Sequence, residues 1–184
     1  MTLKYFIPVI ALATAANALP FKIAPTGEIG WIWANNKGID KQMGQHRFDN
    51  SSFGLKVELG AIARKTIVAD LFVQAGIVSG GSFIQFQRRN VPENRLDKIR
   101  SNVGFPLAAG YTILNKINVL AGAQINVEHG NIHYLIDRYT DFQVKYDFTA
   151  EISYNITENN ELGIKLTIRP NETALGVSYN YWIF

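Results

Sequence analysis

Cysteine is absent from the 184 residues, which removes a disulfide framework, a thiolate metal site and a cysteine nucleophile together. Long apolar runs are missing as well. Past the N-terminal segment, no stretch reaches the ~20 consecutive apolar residues that a spanning helix needs. Charge is sparse at 18% and nearly balanced, with a formal net of +3. So mild an excess gives no case for a nucleic-acid partner. At 47% hydrophobic the chain is too apolar for a disordered one, and its length suits one folded domain.

The N-terminal segment MTLKYFIPVIALATAANA carries one lysine and then an apolar run broken by Pro8. It ends in Ala16-Asn17-Ala18, with small residues at both positions a signal peptidase requires. This predicts a cleaved secretory leader over Met1–Ala18 and a mature domain over residues 19–184. Loss of Lys4 lowers the net charge from +3 to +2. An exported domain of this size without disulfides must be held by its sheet and by the solvent around it.

What the chain does have is alternation. In DFQVKYDFTAEISYNIT, Asp141 to Thr157, every second residue from Phe142 to Ile156 is apolar or aromatic. The residues between, from Gln143 to Asn155, are polar. A period of two marks a strand with two unlike faces. The same pattern predicts eight strands, about 26–34, 52–61, 66–77, 98–113, 117–127, 141–157, 161–168 and 173–184. Most are near the ~9 to 11 residues with which a tilted strand crosses a bilayer. Links at Ile62–Lys65, Leu114–Lys116 and Thr157–Asn160 are short, those at Asn35–Ser51, Val78–Asp97 and His129–Asp141 are long, and Pro170-Asn171 signals one more turn.

The alternation alone does not say which face is inside, since a sheet packed on a soluble core has the same period. Glycine decides more. Gly30, Gly54, Gly60, Gly76, Gly104, Gly110, Gly122, Gly163 and Gly176 fall in phase with the charges. An exposed soluble face gains nothing from a residue that weakens strands by about 0.5–1 kcal/mol, whereas a narrow lumen needs small side chains among large ones. The polar phase also carries a balanced set of charges. These are Glu28, Lys56, Glu58, Asp70, Lys98, Arg100, Lys145, Asp147, Glu151, Glu161 and Lys165, and buried charges must be paired. Trp31, Trp33, Tyr111, Tyr146, Tyr154, Tyr179 and Tyr181 lie on the apolar phase, as in the aromatic girdles of membrane barrels. The expected fold is an all-β, eight-stranded antiparallel up-and-down transmembrane barrel with a lumenal charge network.

From residue 19 to Phe184 this pattern resembles the small eight-stranded outer-membrane barrels of the OmpA-like and opacity-protein group. The last strand, GVSYNYWIF, looks like the C-terminal aromatic signal read by the barrel-assembly machinery. The resemblance implies residence in the bacterial outer membrane, contact with its lipids and lipopolysaccharide, and a structural or adhesin-like role through long extracellular loops. One departure stands out: Val177, Tyr179, Tyr181 and Ile183 share the outward phase, while Trp182 and Phe184 do not. Either a bulge near Tyr181 restores the phase or Trp182 points into the barrel mouth. A soluble lipocalin-like barrel is the nearest competitor, on Thr140-Asp141-Phe142, but its Gly-x-Trp element is missing.

Candidate chemistry is thin. His46, His129 and His133 fall in the long links with no Asp and Ser at triad-like spacing, and Gly130-Asn131 opposes a helical ligand pair. No His-x-Ser arrangement of the kind used by lipid-A-modifying barrels is present, so neither enzyme activity nor a cofactor or metal is expected. The second long link holds Arg88, Arg89 and Arg95, whose guanidinium forks suit phosphate or sulfate on lipopolysaccharide or on a host or cell-surface ligand.

Overall fold

The computed structural model describes residues 21–35, 52–88, 91–134 and 137–183. The expected leader, His46, Arg89 and Phe184 lie outside the described residues, as does most of the first long link. Eight strands form in chain order: β1 Phe21–Ala34, β2 Ser52–Val68, β3 Leu71–Arg88, β4 Val91–Ile113, β5 Ile117–Tyr134, β6 Asp137–Asn155, β7 Asn160–Arg169 and β8 Glu172–Tyr181. Each pairs antiparallel with its neighbours, and β1 closes on β8 through Thr26↔Asn180 to Ala34↔Glu172. The result is a closed up-and-down barrel without a sheet edge around its body.

The two faces of each strand separate as the alternation requires. On β6, Val144, Phe148 and Ile152 are 52%, 69% and 61% exposed, while Asp147 between them is 1% exposed. The aliphatic set is therefore the outer wall and not a soluble core. Trp33 and Phe53 meet edge to face at 6.2 Å on the outer wall at one end. Tyr111, Tyr154, Tyr179 and Tyr181 stand on the outer wall toward the other end, where the Tyr111 and Tyr179 hydroxyls donate to Asp70 and Asn160. Rings with a wet tip and an apolar body suit such rims.

Several expected boundaries are corrected. β2 runs past Ile62–Lys65 to Val68, and the chain reverses at Ala69-Asp70, where Ala69 takes a positive φ of 46°. A register shift between Thr66 and Val68 absorbs one residue there. Two long links are mostly strand: β3 and β4 pair out to Arg88↔Val91, and β5 and β6 out to Tyr134↔Asp137. His129 and His133 belong to β5 and not to a loop. No bulge interrupts the end of β8, whose register with β7 runs unbroken to Tyr181, and Trp182 accordingly turns inward at 3% exposure.

Above the outer wall the polarity of the faces reverses. On β3, Ile84 and Phe86 point inward at 0% and 1% exposure, while Gln85 on the outer phase donates to Asp97 across the β3–β4 ladder, 3.2 Å from Nε2 to Oδ1. Farther round, the Thr140 hydroxyl donates to the Asn131 side-chain amide oxygen on the outer phase of β5 and β6 at 3.1 Å. Ile84 and Phe86 lie inside beside Lys98, and Gln85 and Asp97 lie outside, so the aliphatic and aromatic bulk here is inward and the outer positions are polar, as in a sheet surrounded by water. The apolar wall ends near Phe83, Ile99 and Phe142, all exposed, and the extended strands β3–β6 continue beyond it.

Candidate functional site: a charged lumen and an extended arm

Inward positions of all eight strands meet in the lumen. Seven carboxylates (Glu28, Glu58, Glu128, Asp147, Glu151, Glu161, Glu172) and seven basic groups (Lys56, Arg64, Lys98, Arg100, Lys145, Lys165, Arg169) hold buried or half-buried inward positions among the described residues. Their ion pairs form three groups along the axis. Nearest the short turns, Arg64 bonds Glu161 at 2.9 Å and Gln74 at 2.9 Å. In the middle, Glu28 takes Lys56 at 3.1 Å and Lys165 at 2.8 Å, and Lys56 also reaches Glu58 at 2.9 Å. Toward the arm, Arg169 bridges Glu128 and Asp147 at 2.5 and 2.6 Å, and Arg100 holds Glu172 at 2.6 Å.

Neutral polar side chains complete the mesh. Asn126 takes part in bonds to Gln124 at 2.7 Å, to Asp147 at 2.8 Å and to Asn102 at 3.3 Å, and Ser178 donates to Glu151 at 2.6 Å. Charges out of bulk water are tolerable only with such partners. Glycines make the space. A Cβ on Gly163 would stand 2.6 Å from both Glu151 Oε1 and Ser178 Oγ, and on Gly110 it would strike the Phe72 ring. Gly163→Val is accordingly expected to destabilise the barrel by about 1–3 kcal/mol, read as a lower temperature for loss of its heat-modifiable band in detergent.

Of the expected lumenal residues, Glu28, Lys56, Glu58, Arg100, Asp147 and Lys165 join these ion pairs. Glu151 faces inward but is held by Ser178, and Lys145 faces inward and enters no ion pair of the described set. Asp70 is corrected: it sits in the β2–β3 turn, outside the lumen, because the turn falls at Ala69-Asp70. Arg64, Glu128, Arg169 and Glu172 were not anticipated. Each lies next to a turn signal or an assumed strand end, yet each continues the inward phase of its strand.

Of the arginines expected to form an anionic-ligand loop, Arg88 and Arg95 stand on the outer ends of β3 and β4, where the register pairs Gln87 with Arg95 and Arg88 with Val91. His129 is exposed on the outer face opposite Ser101, whose hydroxyl is 3.5 Å from the His129 carbonyl oxygen. No group of three His, Cys, Asp or Glu positioned for a metal occurs among the described residues.

No family model matches the sequence, and no curated protein matches it. Solved structures do. The crystal structure of Ail, the attachment invasion locus protein of Yersinia pestis, superposes with a TM-score of 0.55 over 89% of this chain and 98% of Ail, at 7% identity. Ail in complex with the heparin analogue sucrose octasulfate gives 0.55 over 89% and 99%, at 8% identity. Neisserial surface protein A gives 0.50 over 89% and 96%, at 11% identity. The chain has the fold of the small eight-stranded outer-membrane barrels. The match spans nearly the full length of those chains, so their barrel is reproduced whole. At such low identity the likeness rests on backbone geometry, which the apolar outer wall and charged lumen explain independently.

Proposed function

We propose that this protein is a bacterial outer-membrane barrel, exported through a leader at Met1–Ala18, whose role is non-catalytic and exercised through the arm formed by β3–β6. The observation that carries the reading is the reversal of polarity above the apolar wall, with Ile84 and Phe86 inside and Gln85 and Asp97 outside. A segment that builds its own small core beyond the bilayer presents an ordered surface rather than a loose loop. The lumen is read as closed, since ion pairs from seven strands cross it and an eight-stranded barrel leaves room for side chains only. Interior chemistry then serves stability, and recognition belongs outside.

The ligand class follows from Arg88, Arg89 and Arg95, three arginines close together in sequence where β3 gives way to β4. Planar forks of this kind match sulfate and phosphate oxygens. That Ail was crystallised with a sulfated sugar supports an acidic, sulfated glycan as the ligand class here. The test is binding of refolded protein to immobilised heparin over a salt series. Substituting alanine at all three positions is expected to weaken binding by tenfold or more at low salt, from about 1.5–3 kcal/mol per charged hydrogen bond, with the heat-modifiable fold retained. Equal binding by the wild-type and substituted proteins would remove the arm tip from the reading.

A further inference from the structure

The lumen is not filled evenly. A hollow of about 40 Å³ in the middle of the barrel, bordered by Glu28, Glu58, Glu151 and Lys165, has room for a few waters only. The larger space lies at the end with the short turns, the end that faces the periplasm in outer-membrane barrels. A vestibule of about 210 Å³ opens there, enough for a molecule the size of an amino acid or a dipeptide.

Its floor and one of its walls are fixed. Arg64 forms the floor, with its guanidinium 4.2 Å from the centroids of both Phe72 and Trp182 and bonded to Glu161 at 2.9 Å. The Trp182 indole N–H donates to the same carboxylate at 2.6 Å. On one wall a relay crosses three strands: the Thr112 hydroxyl donates to Asn118 at 2.9 Å, the Asn118 amide to Asn155 at 3.1 Å, and the Asn155 amide to the Asn115 carbonyl at 3.4 Å. Ala69, on the rim, is held at a φ of 46°, a costly conformation for alanine of the kind that gathers at functional sites. These groups set the shape of the cup.

What remains uncommitted is charge of both signs. Lys22 continues the inward phase of β1 below Ala24 and enters no ion pair among the described residues. The Asp70 carboxylate, in the β2–β3 turn, is met by the Tyr111 hydroxyl at 3.4 Å and by no basic group among the described residues. Glu158, in the β6–β7 turn, likewise has no basic partner among them. In a ring of eight strands those two turns are four strands apart, on opposite sides of the mouth, with β1 between them. A simple anion entering the cup would face two carboxylates, and a simple cation would face Lys22 and Arg64. A ligand with both signs answers all of them.

We propose that the vestibule binds a small zwitterion, an amino acid or a short peptide, with its carboxylate toward Lys22 and its ammonium group toward Asp70 or Glu158. The site lies at the opposite end of the barrel from the arm and does not depend on the reading of the arm. Trp182 reports on it, because its indole borders the vestibule whereas Trp31 and Trp33 stand on the outer wall. In refolded, isotope-labelled protein at neutral pH, glycylglycine is expected to shift the Trp182 indole N–H resonance saturably and to leave those of Trp31 and Trp33 in place. Trp182→Phe assigns the signal. Sodium acetate, methylammonium chloride and glucose at the same concentration and ionic strength should each shift it little.

Lys22, Glu158 and Lys116 are all exposed, so their variants keep the fold. Lys22→Met and Glu158→Gln are each expected to weaken binding by about threefold to fivefold, the worth of a charge pair on a wet rim, and together by about tenfold or more. Lys116→Met removes a cation of the β4–β5 turn that does not border the vestibule, and should change nothing. Absence of a Trp182 shift at high millimolar glycylglycine would overturn the site. Equal shifts with acetate or methylammonium, or a larger one with glucose, would overturn the ligand class. Equal weakening by Lys116→Met would mean that rim charge acts without a pocket, which also overturns the proposal.

Discussion

Replacing Glu28 with alanine is expected to lower the unfolding free energy of the barrel by about 3–5 kcal/mol, the range found when one partner of a buried ion pair is removed. Glu28 is 7% exposed and accepts Lys56 and Lys165 on its two oxygens at 3.1 and 2.8 Å. Lys56 keeps Glu58 as a second partner, but Lys165 has no other ion pair among those described. The substitution therefore leaves the Lys165 ammonium group in a confined interior without its bonded counter-charge, with Glu58 and Glu151 as carboxylates of the same hollow that do not bond it. The loss comes from that stranded charge, more than from any net worth of the pair. Replacing Glu28 and Lys165 together with methionine is then expected to recover most of the stability, because uncharged side chains of similar length carry no desolvation penalty. Urea unfolding in lipid vesicles, followed by tryptophan fluorescence, measures both variants. A double variant no better than Glu28→Ala would show that the interior depends on these charges for shape and not for neutralisation.

Ile152→Lys is expected to cost about 1–3 kcal/mol, as a lysine does on the outside of a barrel between the bilayer midplane and its rim. The residue is 61% exposed on the outer wall of β6, paired with Val119 and Ile164 on either side. For a protein surrounded by water, lysine at so open a position would fall within about 0.5 kcal/mol of neutral. The prediction thus separates a lipid-facing wall from a wet one through its magnitude alone. Thr140→Lys, on the same outer phase but above the apolar wall, is expected to be close to neutral. The pair of substitutions places the edge of the membrane between Thr140 and Ile152.

Strand number, phase and closure were legible in the sequence because they depend on a period of two, which the chain keeps through β4–β8. The interior was legible through glycine: Gly104, Gly163 and Gly176 mark places where a neighbouring polar side chain occupies the room of a Cβ. What was hidden lies where two signals compete. Arg169 and Glu172 flank Pro170-Asn171, whose turn chemistry masks the fact that both side chains reach back into the lumen. Glu128 continues the phase of Gln124 and Asn126, but His129-Gly130-Asn131 follows it and reads as a loop. Arg64 fell in a stretch taken for a turn, while the actual reversal at Ala69-Asp70 uses alanine with a positive φ, a choice no turn propensity favours.

The arm was obscured for a different reason. A strand that leaves the bilayer exchanges its faces, so Ile84 and Phe86 carry their hydrophobicity on the phase that is polar below. Read with one rule for the whole chain, such a segment looks like the end of the pattern. Its residues follow the water-soluble rule instead. Trp182 shows the same lesson at the other rim, where an aromatic residue in the polar phase is neither misplaced nor bulged but paired with Arg64 and Glu161 inside.

The central claim, apolar wall to lipid and charge to the lumen, is tested most directly by nitroxide labels placed singly at positions 146 to 152 of β6 in lipid vesicles. The account predicts that labels at Tyr146, Phe148, Ala150 and Ile152 collide freely with oxygen dissolved in the bilayer. Those at Asp147, Thr149 and Glu151 should be shielded from oxygen and from a water-soluble nickel reagent alike. Shielding of Phe148 and Ile152 together with nickel access at Asp147 and Glu151 would contradict it, since that is the pattern of a soluble sheet packed on an apolar core.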